Sequence, residues 1–173
     1  MIRTMLCAGA LASLLCLGWS GTAFSQRPGA GAMMSDQRFA TKAASDGMAE
    51  VKLARLALEK SNNPDIKMFA QRMIDDHTKA DKQLTGILTQ KNMNVPERID
   101  AKHQALFDRL SSLQGDAFDR EFARAMLADH KEAVRLFEKE AKNGQDQDLR
   151  SFAETTLPTL KEHLELAQRL AGK

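Results

Sequence analysis

Beyond residue 25 the chain has no cysteine and no tryptophan, and tyrosine is absent throughout. Cys7, Cys16 and the single Trp19 all fall in the first 25 residues. The rest of the chain therefore cannot form a disulfide, an Fe–S cluster or a cysteine zinc site, and thiol catalysis is excluded. An excess of one charge is also missing. Lys and Arg number 25 against 23 Asp and Glu, and no basic block stands out. A nucleic-acid or anionic-membrane partner thus has no electrostatic footprint. The length fits one domain with one core.

The first 25 residues have the layout of a secretory signal peptide. Arg3 supplies a positive start, Met5 to Trp19 is uncharged and apolar, and Ala23-Phe24-Ser25 offers a small-x-small site for cleavage before Gln26. The competing reading is a retained anchor, because Met5 to Phe24 carries no charge and approaches the length of a bilayer span. Its glycines, serines and cleavage site favour removal, which implies a periplasmic or secreted protein with no stable membrane insertion afterwards. Ser13-Leu14-Leu15 lacks the small residue expected before a lipidated Cys16. Residues 26–35 (QRPGAGAMMS) read as a flexible tether.

From there the pattern is helical throughout. A first helix is expected from Asp36, capped by Ser35, to Lys60. Ser61-Asn62-Asn63-Pro64 forms a turn in which Asn63 caps the next helix and Pro64 opens it, running to Lys91. A shorter helix spans Glu97 to Leu113, and a fourth Asp116 to Lys142, ended by Asn143-Gly144. The last runs from Asp146 to Ala171, with Pro158 expected to bend it. Apolar residues recur at three-and-four spacing, as in Ile66, Phe69, Met73, Leu84 and Leu88. Two long hairpins joined by a crossover carrying a short helix describe an all-α, ferritin-like four-helix bundle over residues 36–173.

Three of the four histidines follow an acid: Asp76-His77, Asp129-His130 and Glu162-His163. Successive helical residues point about 100° apart, so only one of each pair can lie central in the core. His77 and His163 fall inside their apolar stripes, as does Glu50 in the first helix. Asp129 and His130 sit on opposite shoulders of theirs, so either can enter. Glu50 and His77 are equidistant from the first turn, and His130 and His163 from the last. The second pair is about three residues further out, so an offset of roughly one helical turn puts all four groups in one layer. His103, beside Ile99, Leu106 and Leu110, is assigned to packing. Met48, Met68, Met73 and Met126 are assigned to core filling rather than copper binding, since no Met-x-Met cluster occurs after the tether.

The runs Glu50-Val51-x-Leu53-Ala54, Phe69-Ala70-x-x-Met73-Ile74-x-Asp76-His77, Phe118-Asp119-x-x-Phe122 leading to His130, and Leu157-Pro158-x-Leu160-x-x-His163-Leu164 are similar to exported bacterial proteins of the domain-of-unknown-function family 4142. The resemblance implies a ferritin-like bundle exported from a bacterial cytoplasm and carries no catalytic residue. A di-iron oxidase is a poor fit, because no Glu-x-x-His occurs: Ile74, Leu127 and Leu160 stand three before the paired histidines. The main functional reading is a non-catalytic binding or structural, stress-related envelope protein whose inner polar groups fix helix register. The alternative is a core site for one divalent transition metal, Zn(II), Cu(II) or Ni(II), held by Glu50, His77, His163 and Asp129 or His130. An enzyme using the same groups as acids and bases has least support. Mass spectrometry of the exported protein is expected to find Gln26 at its N-terminus; an intact Met1 would establish an anchor instead.

Overall fold

A computed structural model describes the backbone of residues 30–172 and the side chains of residues 35–172. Residues 1–29, which hold the expected signal segment and the first part of the expected tether, lie outside the described residues. The rest is all-α, with five helices: α1 (Ala30–Lys60), α2 (Pro64–Gln90), α3 (Ala101–Ser111), α4 (Gly115–Asn143) and α5 (Gln147–Ala171). The α1–α2 and α4–α5 hairpins are the tightest pairings; α2 also packs on α5, α1 on α4, and α3 on α1 and α4. Among the described residues no helix is long and apolar enough to cross a membrane.

Side-chain caps set the starts of α2, α3 and α5. The Asn63 side chain accepts from the Asp65 amide, with Pro64 at the first turn. Asp146 accepts from the amides of Asp148 and Leu149 and so starts α5, which continues unbroken through Pro158. Two boundaries depart from the sequence expectation. Helix α1 begins at Ala30, so Ser35 is not its N-cap and residues 30–35 are not an irregular tether; alanine and methionine in this run favour helix strongly enough to carry it past Gly31. Helix α3 begins at Ala101 instead of Glu97, because Asp100 caps it by accepting the His103 amide at 2.9 Å. Ile99 therefore lies before the helix, not on its apolar side.

Both ends of the bundle are clamped. At one end Lys60 donates to the carbonyls of Ser111 (2.6 Å) and Leu113 (2.9 Å), holding the end of α1 beside the start of α4. At the other, Asp36 accepts from the amides of Gln145 and Asp146, the latter at 2.7 Å. Lys91, at the end of α2, pairs there with Asp146 and Asp148. The crossover thus returns the chain along the full length of the bundle, and each neighbouring pair in the ring α1, α2, α5, α4 is antiparallel. Gly115 opens α4 at φ +54°, a left-handed conformation open to glycine.

The core divides in two. One apolar cluster gathers Phe39, Ala40, Leu84, Leu88, Phe137, Leu149, Phe152 and Leu160. The other gathers Leu53, Phe69, Met73, Leu110, Phe118, Phe122, Met126 and Ala167. In every long helix a buried residue with a polar side chain stands between the stretches that feed the two clusters, Glu50, His77, His130 and His163 among them. Met73 and Met126 are fully buried as fillers of the second cluster, whereas Met68 is exposed.

The α4–α5 turn requires a residue without a side chain. A Cβ on Gly144 would stand 2.8 Å from the Glu140 carbonyl oxygen and 2.5 Å from its Oε1. Gly144→Ala is expected to lower unfolding free energy by about 1–3 kcal/mol, measured by urea denaturation.

Candidate metal centre

Each of the four bundle helices carries one polar side chain to the boundary between the apolar clusters. Glu50, His77, His130 and His163 are all buried, His130 and His163 completely. The imidazole centroids are 5.9 Å apart for His77 and His130, 5.3 Å for His77 and His163, and 5.4 Å for His130 and His163. Phe69 of the second cluster packs edge-on against His130 and His163 from one side. Of the two residues on the α4 shoulders, His130 joins this layer. Asp129 does not: it is buried but turns toward α3, where its Oδ1 lies 3.4 Å from the Lys102 Nζ and its Oδ2 3.7 Å from the His103 Nε2.

One nitrogen of every ring is held and the other is left free. His130 Nδ1 lies 2.8 Å from the Met126 carbonyl, which only accepts, so Nδ1 carries the proton. The Asp76 carboxylate receives His163 Nε2 at 2.8 Å, and Glu50 Oε2 meets His77 Nδ1 at 3.1 Å. The remaining nitrogens, His77 Nε2, His130 Nε2 and His163 Nδ1, are buried without hydrogen-bond partners. They are three of only six such side-chain atoms among the described residues. One nitrogen from each ring lies within 4.8 Å of one from each of the others. Bonds near 2.0–2.1 Å to a tetrahedral ion would set such nitrogens about 3.4 Å apart, so modest side-chain closure completes a three-imidazole set.

The electrostatics favour neutral ligands. Burial lowers all three imidazoles from their ordinary range, His130 to about 4. The neighbouring imidazoles reinforce this for His77. Burial, then the charges of Asp129, Asp46 and Asp81, holds the Glu50 carboxyl well above its ordinary range. Neutral imidazoles backed by a carboxylate or carbonyl on the far nitrogen are what a transition metal requires of histidine ligands. Glu50 sits behind His77, with its second oxygen 3.7 Å from His130.

Two contributions escape the helical wheel. Asp76 flanks its own stripe, yet it orients His163 on a different helix, and Arg72 pairs with both Asp76 and Glu162 outside it. His103 is not simply a packing residue: it is 2% exposed and surrounded by the carboxylates of Asp46, Asp100 and Asp129. The available signal was an acid about 100° from a core position, aimed at the neighbouring helix rather than the core.

The architecture defines a class: an antiparallel four-helix bundle with a single crossover helix and a layer of three imidazoles in its interior. Residues 22–170 match the domain of unknown function DUF4142, and the chain belongs to that family. Comparison with curated proteins finds no match. Among solved structures, a DUF305 fragment from Deinococcus radiodurans is 18% identical at a TM-score of 0.71, over 80% of this chain and 95% of that one. CopM in its Cu(II)-bound form is 22% identical at a TM-score of 0.67, over 79% of this chain and 95% of CopM. Structures of CopM bound to Cu(I) and Ag share the arrangement. These likenesses show a common fold.

The depressed His130 pKa has a measurable consequence in metal-free protein. An imidazole that titrates near 6.5 when unfolded and about 4 when folded contributes its full stability above 6.5 and loses it as pH falls toward 4. Measured by urea unfolding at both ends of that interval, the stability of wild type relative to His130→Leu is expected to decline by about 3 kcal/mol.

Proposed function

We propose that the protein binds a transition metal ion in its core through His77 Nε2, His130 Nε2 and His163 Nδ1, with copper the favoured ion. The observation that carries this reading is the set of three buried nitrogens, each without a partner, on rings whose other nitrogen is fixed. A layer built only to set helix register would satisfy its polar atoms, since each buried unpaired group costs about 1–3 kcal/mol. Here His130 Nδ1 and His163 Nε2 are hydrogen-bonded, His77 Nδ1 lies 3.1 Å from Glu50, and one nitrogen of each ring lies within 4.8 Å of one from each of the others. That is the donor set of a metal site with its supporting hydrogen bonds in place.

The choice of metal follows from the donors. Three neutral imidazoles suit Cu, Zn and Ni, and Cu(II) stands highest in the affinity order of the divalent ions. The copper- and silver-bound forms of CopM, a protein of the same fold, support the same preference. Asp76 and Glu50 orient ligands, and the Glu50 carboxyl, its pKa raised by burial in the free protein, would give up its proton beside a bound cation and so offset part of its charge. The apolar clusters above and below exclude water, which suits holding an ion more than turning over a substrate. We read the protein as a binding protein acting outside the bacterial cytoplasm after loss of its signal segment, not as an enzyme.

Titrating the untagged mature protein with Cu(II) and with Zn(II) while following its melting temperature tests this. Wild type is expected to gain stability with either ion, and His77→Ala with His163→Ala to abolish the gain attached to the core. An unchanged gain in the double variant would overturn the proposal. Asp76→Asn, which keeps the side-chain shape but removes the charge behind His163, is expected to weaken the core affinity by about 10- to 100-fold.

A further inference from the structure

His103 stands where α1, α3 and α4 meet, and its surroundings are as unusual as those of the core layer. Its Nδ1 lies 2.9 Å from Asp100 Oδ2 and 3.9 Å from Asp46 Oδ1. Its Nε2 lies 3.7 Å from Asp129 Oδ2, an oxygen buried without a hydrogen-bond partner in a residue only 7% exposed. One ligand atom each from Asp46, Asp100 and His103 lies within 4.8 Å of the other two. Asp100 faces solvent, so the cluster is open on that side.

Carboxylates outnumber lysines around the ring. Asp46 on α1, Asp100 at the start of α3, and Asp129 and Glu132 on α4 bring four carboxylates. Lys42 on α1, held by Asp46 at 2.9 Å, and Lys102 on α3, near Asp129 and Glu132, answer two of them. A divalent ion bound at Nδ1, with the imidazole proton retained on Nε2, would cancel the remaining two. That proton would then point at the unpartnered oxygen of Asp129, giving the same carboxylate–imidazole–metal order proposed for the core.

We propose that Asp46, Asp100 and His103 form a second site, for a divalent first-row transition metal ion, with Asp129 positioning the His103 ring. The site shares no ligand with the core layer, but the two are adjacent: Asp46 lies one turn from Glu50 on α1, and Asp129 precedes His130 on α4. Two carboxylates and one imidazole make it harder in character than the three-imidazole set.

The probe is Zn(II) added to untagged mature protein, with stoichiometry read by calorimetry. Wild type is expected to bind two equivalents. Asp46→Asn with Asp100→Asn should lose one and keep the core equivalent; asparagine at position 100 still caps α3, so the fold is retained and circular dichroism verifies it. His77→Ala with His163→Ala should lose the other. If the core reading fails alone, wild type binds one equivalent, lost in the asparagine variant and kept in the alanine variant. In a parallel experiment in the His77→Ala, His163→Ala background, where no core-bound ion lies nearby, substoichiometric Ni(II) should broaden the His103 ring signals in nitrogen-detected spectra, and should not once Asp46→Asn and Asp100→Asn are added. Undiminished stoichiometry in the asparagine variant, or His103 signals that stay sharp, would overturn the second site.

Discussion

Four helices each carry one polar side chain to the same height, and the rest of the bundle is arranged around that coincidence. Glu50, His77, His130 and His163 separate an apolar cluster around Phe137 and Phe152 from another around Phe118 and Phe122. A slip of one helix by a turn would bury an imidazole in hydrocarbon and bring an apolar side chain against Glu50. The layer therefore specifies register as well as chemistry. The clamps at the bundle ends, Lys60 on the carbonyls of Ser111 and Leu113 and Asp36 on the α4–α5 turn, hold the same alignment from outside.

The layer is also where the fold departs from the arrangement of lowest energy. Apolar side chains of similar volume would fill this space without leaving donors or acceptors unpaired. Instead, each ring has one nitrogen fixed by Glu50, Met126 or Asp76 and one that meets no partner. Burial keeps the imidazoles neutral, so their lone pairs are available for an ion. In the proposed site, a bound ion would resolve the departure: the atoms that cost stability in the free protein would become its ligands.

Much of this was legible in the sequence, because helical periodicity and caps act locally. Asn63-Pro64 and Asn143-Gly144 mark their boundaries, and counting residues from each turn places Glu50 level with His77 and His130 level with His163. What resisted reading depends on neighbours. Ala30 starts α1 where glycine and proline suggested a tether, since alanine and methionine outweighed one glycine. Asp100 moved the start of α3 by capping it. A wheel for a single helix cannot show that Asp76 serves His163 or that Asp129 turns to His103. The acid–histidine adjacency was thus more than incidental for two of the three pairs: one member faces the core and the other reaches across to a histidine elsewhere.

The central claim is that one ion is held by three particular nitrogens, and crystallography of copper-soaked protein tests it most directly. An anomalous-scattering map at the copper edge should place a peak between α2, α4 and α5, within about 2 Å of His77 Nε2, His130 Nε2 and His163 Nδ1. A crystal in which copper occupies only surface positions, with the three rings unmoved and no density between them, would contradict the account.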